Sequence, residues 1–173
     1  MRLEGKRVLI LAGPDYEDME LQYPRYRLAE EGAQVVIAGI GDRTYHGKKG
    51  YPVTVDVQIA DVNSRDFDAV VIPGGWAPDK MRRVPEVLQF VREINDEGKT
   101  VGAICHAGWV PASAGILKGK RMTCVSAIKD DVVNAGADYV DEPVVVDGNL
   151  VTSRTPDDLP VWLPALIESI ARG

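Results

Sequence analysis

Thr100-Val101-Gly102-Ala103-Ile104-Cys105-His106-Ala107-Gly108-Trp109-Val110 is an apolar run that halts at a cysteine, passes through small residues and resumes with helical spacing. Residues 100–104 show no polar alternation, so they read as a strand buried on both faces. Residues 107–116 read as the helix that follows. A strand, a sharp turn at a nucleophilic side chain and a helix together form a nucleophile elbow, which pushes that side chain out over the end of a sheet. Unpaired N–H groups at a helix start favour thiolate over thiol, so the pattern predicts an ionised Cys105 at neutral pH. His106 is one of only two histidines in the chain.

Outward from the elbow, strand and helix signals alternate. Residues 7–12 and 34–38 are short apolar runs, and 68–72 is another, ended by Pro73-Gly74-Gly75. Residues 17–31 carry Met19, Leu21, Tyr23, Tyr26 and Leu28 at helical spacing around Pro24, with Gly32 as the stop. Residues 84–97 form an amphipathic helix. Residues 44–57 alternate around Gly47 and Gly50, as short antiparallel strands do. Residues 121–125 are strand-like, Ser126 caps a helix through Ala135, and Asp147-Gly148-Asn149 turns a hairpin. Thr155-Pro156-Asp157-Asp158 opens a last helix that contains Pro164. This alternation predicts an α/β fold, a parallel sheet with helices on both faces, in one domain over residues 1–173.

Composition narrows the function. Net charge is −6 and no face concentrates Lys and Arg, so a stable nucleic-acid complex is not expected. No apolar run has the length of a membrane span, and the charged N-terminus lacks the apolar centre of a signal peptide. The two cysteines, Cys105 and Cys124, make no disulfide framework, which points to a reduced, cytoplasmic protein. Two histidines and two separated cysteines are a poor metal set, and no nucleotide motif is present, so no cofactor is expected.

In a parallel sheet, sites lie beyond the carboxyl ends of the strands. Three such ends carry functional residue types: Pro14-Asp15-Tyr16-Glu17, Pro73-Gly74-Gly75 and Cys105-His106. Cys105 is either a buried structural cysteine or a nucleophile, and the elbow favours the second. Cys124, among apolar neighbours, reads as structural. Adjacent residues face one another only where the chain turns sharply, so His106 contributes either its ring or only its backbone N–H. Gly75 N–H and His106 N–H are the candidate oxyanion-hole donors. Glu17 is the candidate carboxyl at the thiol, where it would have to be protonated to donate. Asp15, Asp18 and Glu20 surround it, and the preference of acids for a helix N-terminus accounts for Asp18 and for Asp15. Nothing beside Cys105-His106 orients the ring, which leaves distant acids such as Asp79. His46 reads as a solvated loop residue.

Several stretches in this order resemble the PfpI intracellular protease family, within the DJ/PfpI superfamily of glutamine-amidotransferase-like folds. They are Tyr16-Glu17-Asp18-Met19-Glu20-Leu21 with Tyr23-Pro24, Pro73-Gly74-Gly75-Trp76-Ala77-Pro78-Asp79, Ala103-Ile104-Cys105-His106, Ile128-Lys129-Asp130-Asp131 with Asn134-Ala135-Gly136, and Val146-Asp147-Gly148-Asn149 through Ser153-Arg154. The resemblance implies a flavodoxin-like three-layer sandwich. It implies Cys105 as nucleophile, His106 as its partner and Glu17 as the carboxyl at the thiol. It also implies an acid from a neighbouring subunit that orients His106, at the position of Asp79, where the family pattern has Glu. Such a site needs a homo-oligomer, a dimer or a hexamer built from dimers. The chain departs from the family in having Ala107-Gly108-Trp109 after Cys-His, where Gly-Pro is common, and Val125 where some relatives carry a tyrosine.

Three functions fit these residues. The first is a stress-protection enzyme for reactive carbonyls, glyoxalase- or deglycase-like, whose thiolate adds to a 2-oxoaldehyde or to its adduct on a protein or peptide. The second is an intracellular cysteine peptidase. The third is a redox-sensing or chaperone protein in which Cys105 oxidises to a sulfinate. The first is the preferred expectation.

Overall fold

The apolar runs assemble into one seven-stranded sheet because each is covered on both faces by helices that cross between parallel strands. The structure is a computed structural model and describes residues 1–173. The first half of the chain contains β1 (Arg7–Leu11), α1 (Asp18–Glu30), β2 (Gln34–Gly39), β3 (Thr44–His46), β4 (Pro52–Thr54), β5 (Val57–Gln58), β6 (Ala69–Ile72), α2 (Ala77–Met81) and α3 (Pro85–Asp96). The second contains β7 (Thr100–Ile104), α4 (Trp109–Ala114), β8 (Arg121–Met122), α5 (Lys129–Asn134), β9 (Asp138–Tyr139), β10 (Val144–Asp147), β11 (Leu150–Ser153) and α6 (Leu159–Arg172).

The strand order is β10-β11-β7-β6-β1-β2-β5, parallel throughout except for the β10–β11 hairpin. Helix α6 packs with α1, while α4 packs with α2 and α3, which gives the three-layer α/β arrangement of the expected sandwich. Every residue of β6 and β7 is buried, as the absence of alternation predicts. At Gly102, in the strand that leads to Cys105, a Cβ would lie 2.7 Å from Leu166 Cδ1 of α6. The glycine therefore lets α6 close onto the sheet directly behind the elbow.

From β1 the chain runs outward through β2 to β5; it then returns to β6 and runs the other way through β7. The order reverses between β1 and β6. The crevice beyond the carboxyl ends of these strands is where open α/β sheets bind their ligands.

Two expectations about local structure are corrected. Strand β8 stops at Met122 because the next donors turn elsewhere. Thr123 N–H goes to the Thr152 hydroxyl at 2.9 Å, and Val125 N–H goes to the Cys105 carbonyl at 3.4 Å. Ser126 is not a side-chain cap; it begins a short 3-10 turn, Ser126–Ile128, ahead of α5. Pro24 and Pro164 lie inside α1 and α6 without ending either helix.

Candidate active site

The loops after β1 and β6 are stitched together at the reversal point. Tyr16 and Gly75 form an isolated antiparallel bridge, Glu17 N–H donates to Gly74 O at 3.0 Å, and Trp76 N–H donates to Asp15 O at 2.9 Å. The approach is so close that a Cβ on Gly75, whose φ is +79°, would collide with the backbone of residues 15–17. Gly75→Ala is therefore expected to lower unfolding stability by about 2–4 kcal/mol, from the left-handed backbone and the overpacking together. A denaturant midpoint unchanged from wild type would contradict this.

Cys105 itself has φ +62°, one of only two non-glycine residues on the left-handed side. This strained turn allows neighbours in sequence to meet: Cys105 Sγ lies 3.3 Å from His106 Nδ1. The backbone N–H groups of His106 and Gly75 lie close enough to the thiol to favour its ionised form. The imidazole is held between Trp76 and Trp109, each 5.3 Å from it between ring centroids.

The carboxyl at the thiol is Glu20, not Glu17. Glu20 is fully buried, its Oε2 accepts the Gly74 N–H at 2.7 Å, and its carboxyl lies beside Cys105 across Gly74. Its Oε1 is buried with no hydrogen-bond partner. Glu17 caps the helix one turn earlier and turns to Lys48, with Oε2 3.6 Å from Nζ. The buried face of α1 comprises Asp18, Glu20, Leu21, Pro24 and Leu28. Glu20 is thus four and eight residues ahead of two core positions, and a carboxyl on that stripe was the available signal. The helix-dipole explanation, sufficient at short range for Asp18 and Asp15, left it without a role.

The same explanation concealed Asp18, which accepts N–H groups from Lys49 at 2.8 Å and Tyr51 at 2.9 Å. It clamps the loop between β3 and β4 onto the start of α1. Lys48, carried by that loop, reaches Glu17 and lies 5.5 Å from the Trp76 ring centroid.

Electrostatics correct a second expectation. Burial, reinforced by the charge of Glu17, pushes the Glu20 carboxyl up to about 8, so it is protonated at neutral pH. Burial, followed by the charge of an ionised Glu20, pushes the Cys105 thiol up to about 12. The resting group is therefore a thiol and not the expected thiolate. The elbow continues as a 3-10 turn, Cys105–Gly108, and a six-residue helix. Its N–H groups do favour the thiolate, but desolvation outweighs them. Burial and the Lys48 charge hold His106 below its ordinary value. At neutral pH the three groups stand as thiol, imidazole and carboxylic acid.

Asp79 sits on α2 with its side chain half exposed, paired with Arg83 at 3.0 Å and Lys80 at 3.9 Å. No carboxylate of the chain hydrogen-bonds His106 within the same protomer. Cys124 is buried and free, and His46 is exposed in β3. No three His, Cys, Asp or Glu side chains are grouped to hold a metal ion, and no helix is long and apolar enough to cross a membrane.

The fold and this elbow define a cysteine-centred α/β sandwich. Residues 6–169 match the DJ-1/PfpI family, and the chain belongs to that family. It is 46% identical over 162 residues to a deglycase of Pyrococcus abyssi, covering 94% of this chain and 98% of that protein. It is 41% identical over 161 residues to protein/nucleic acid deglycase 2 of Escherichia coli, covering 91% of this chain and 94% of that protein. Among solved structures, Drosophila melanogaster DJ-1beta superposes with a TM-score of 0.90 at 32% identity, covering 97% of this chain and 91% of that one.

Proposed function

We propose that the chain is a cysteine-dependent enzyme for reactive carbonyls, of the glyoxalase or deglycase kind. The observation that carries this reading is the Cys105 Sγ to His106 Nδ1 contact of 3.3 Å, with the acid Glu20 behind the sulfur. A thiol beside a neutral imidazole is a nucleophile with its own base. Cys105 Sγ attacks the aldehyde carbon of a 2-oxoaldehyde, and the S–C bond forms as the carbonyl π bond opens. The thiol proton passes to His106, and the carbonyl oxygen is protonated in turn, giving a hemithioacetal. Gly75 N–H and His106 N–H, whose influence already favours negative charge at the sulfur, are the proposed donors to that oxygen while it carries charge.

His106 then moves a proton from the first carbon to the second, by way of an enediol, leaving a thioester. Water cleaves the thioester to a 2-hydroxy acid and restores the thiol. On a glycated amine, attack at the adduct carbon breaks the C–N bond, and the amine leaves with a proton. The relatives named deglycases in Pyrococcus abyssi and Escherichia coli support this reading over a non-enzymatic one.

The test is conversion of methylglyoxal into lactate by the purified protein without glutathione. Turnover supports the reading. Cleavage of peptide amides in its place favours the peptidase. Neither activity, together with gain of two oxygens at Cys105 under peroxide, favours the redox sensor. The free thiols fit a reducing cytoplasm.

A homo-oligomer in which Asp79 of one protomer approaches His106 of the next is part of the same proposal. Asp79→Ala is expected to lower kcat by about tenfold if that acid orients the ring, with the change in oligomer mass measured in parallel. Unchanged kinetics would remove Asp79 from the site.

A further inference from the structure

Two tryptophans flank His106, and only one of them makes a side-chain hydrogen bond. Trp109 donates its indole N–H to Asp131 Oδ2 at 2.7 Å, and the Arg82 guanidinium lies 5.4 Å from its ring centroid. Trp76 makes no side-chain hydrogen bond and is 53% exposed, although its ring is inclined at only 52° to His106 across 5.3 Å. Its backbone is fixed, because Trp76 N–H is bound to Asp15 O and the residue opens α2. Within the protomer, a large part of this aromatic surface is thus open to solvent beside the imidazole that meets the reacting sulfur, with Lys48 Nζ 5.5 Å from its centroid.

The geometry points to Trp76 as a specificity-determining residue that favours carbonyl substrates with a planar aromatic substituent over those with a methyl group. The inference rests on Cys105 as the nucleophile of the proposed reaction, and on nothing later in that reaction. In an adduct bonded through one carbon to Cys105 Sγ, the methyl or aryl group lies on the next carbon, within reach of the imidazole 3.3 Å from the sulfur and of the indole beside that imidazole. Aromatic rings attract at centroid separations of about 4.5–7 Å, in offset or edge-on arrangements. The spacing of Trp76 from His106 leaves a substituent ring within that range.

Alkylation of Cys105 tests this without requiring turnover. Phenacyl bromide and bromoacetone are alpha-halo ketones that differ in a phenyl against a methyl group. With each, the S–C bond forms as the C–Br bond breaks, bromide leaves, and the thiol proton passes to His106 and then to water. The rates are read by peptide mass at Cys105 in the intact protein, and their ratio is divided by the same ratio for N-acetylcysteine.

The wild-type ratio is expected to exceed that of the free thiol by about three- to tenfold. Trp76→Leu should return it to the free-thiol value, and Trp76→Phe should keep most of the excess. A wild-type ratio equal to that of N-acetylcysteine overturns the proposal. So does an excess that survives Trp76→Leu, or one lost equally in Trp76→Phe and Trp76→Leu. If Trp76→Leu does not fold, the wild-type and Trp76→Phe ratios still decide. Failure of the oxoaldehyde reading would show separately, in the methylglyoxal assay.

Discussion

Cys105→Ala is expected to abolish glutathione-free turnover of methylglyoxal, a loss of roughly 10⁴-fold or more in kcat, because removing a nucleophile leaves no covalent route. His106→Ala should cost nearly as much, and the double variant little more, since the two side chains act as one unit. Stability should move the other way. The nucleophile sits at φ +62°, which is unfavourable for any residue with a Cβ. Cys105→Gly keeps the turn and removes the Cβ. It should be more stable than Cys105→Ala by about 1 kcal/mol, read as a higher denaturant midpoint with an unchanged slope. The elbow would then be a site where strain is kept because the chemistry needs the sulfur in that direction. Residual turnover above a tenth of wild type in Cys105→Ala would remove the covalent mechanism. Equal midpoints for the two variants would remove the strain argument.

The legible part of this molecule is the part governed by period and punctuation. The apolar runs that became β1, β2, β6 and β7, and the elbow at Cys105, follow from continuous burial and from small residues after a strand. The meeting of the three loops follows from topology once the sheet is parallel. What local reasoning did not reach depends on direction. Glu17 and Glu20 have the same chemistry and lie within one turn, and only the buried stripe ending in Pro24 and Leu28 separates the rim carboxylate from the one under the sulfur. Asp18 has an explanation at short range, yet its carboxylate is spent on two backbone N–H groups more than thirty residues away. The charge state of Cys105 differs from the expected one for a related reason. A short run of N–H donors can be read from a turn, whereas the desolvation that opposes it arises from everything packed around the elbow.

Glu20→Gln should separate the chemical role of the buried acid from its cost to folding. Wild-type kcat/KM is expected to be bell-shaped in pH. On the acid side it rises as His106 loses its proton, below the ordinary histidine range because burial and Lys48 disfavour the imidazolium. On the alkaline side it falls through about 8, as Glu20 ionises, ceases to donate toward the sulfur and opposes the developing thiolate. Glutamine keeps an oxygen for the Gly74 N–H but cannot ionise. The variant should lose about tenfold at neutral pH, as an amide replaces an acid donor, while its alkaline limb disappears and its acid limb stays. In stability the sign is opposite. The folded protein holds the Glu20 proton up to about 8, whereas the unfolded chain releases it near the ordinary 4.5. Wild-type stability therefore falls as pH rises through that window, and the deficit persists above it. Glu20→Gln should match wild type near the lower bound and exceed it by on the order of 3 kcal/mol at pH 7. Chemical denaturation across that range measures the difference. A stability advantage over wild type that is no larger at pH 7 than at the acid end, or a variant that keeps the alkaline limb, would mean that Glu20 is not the acid held protonated beneath the sulfur.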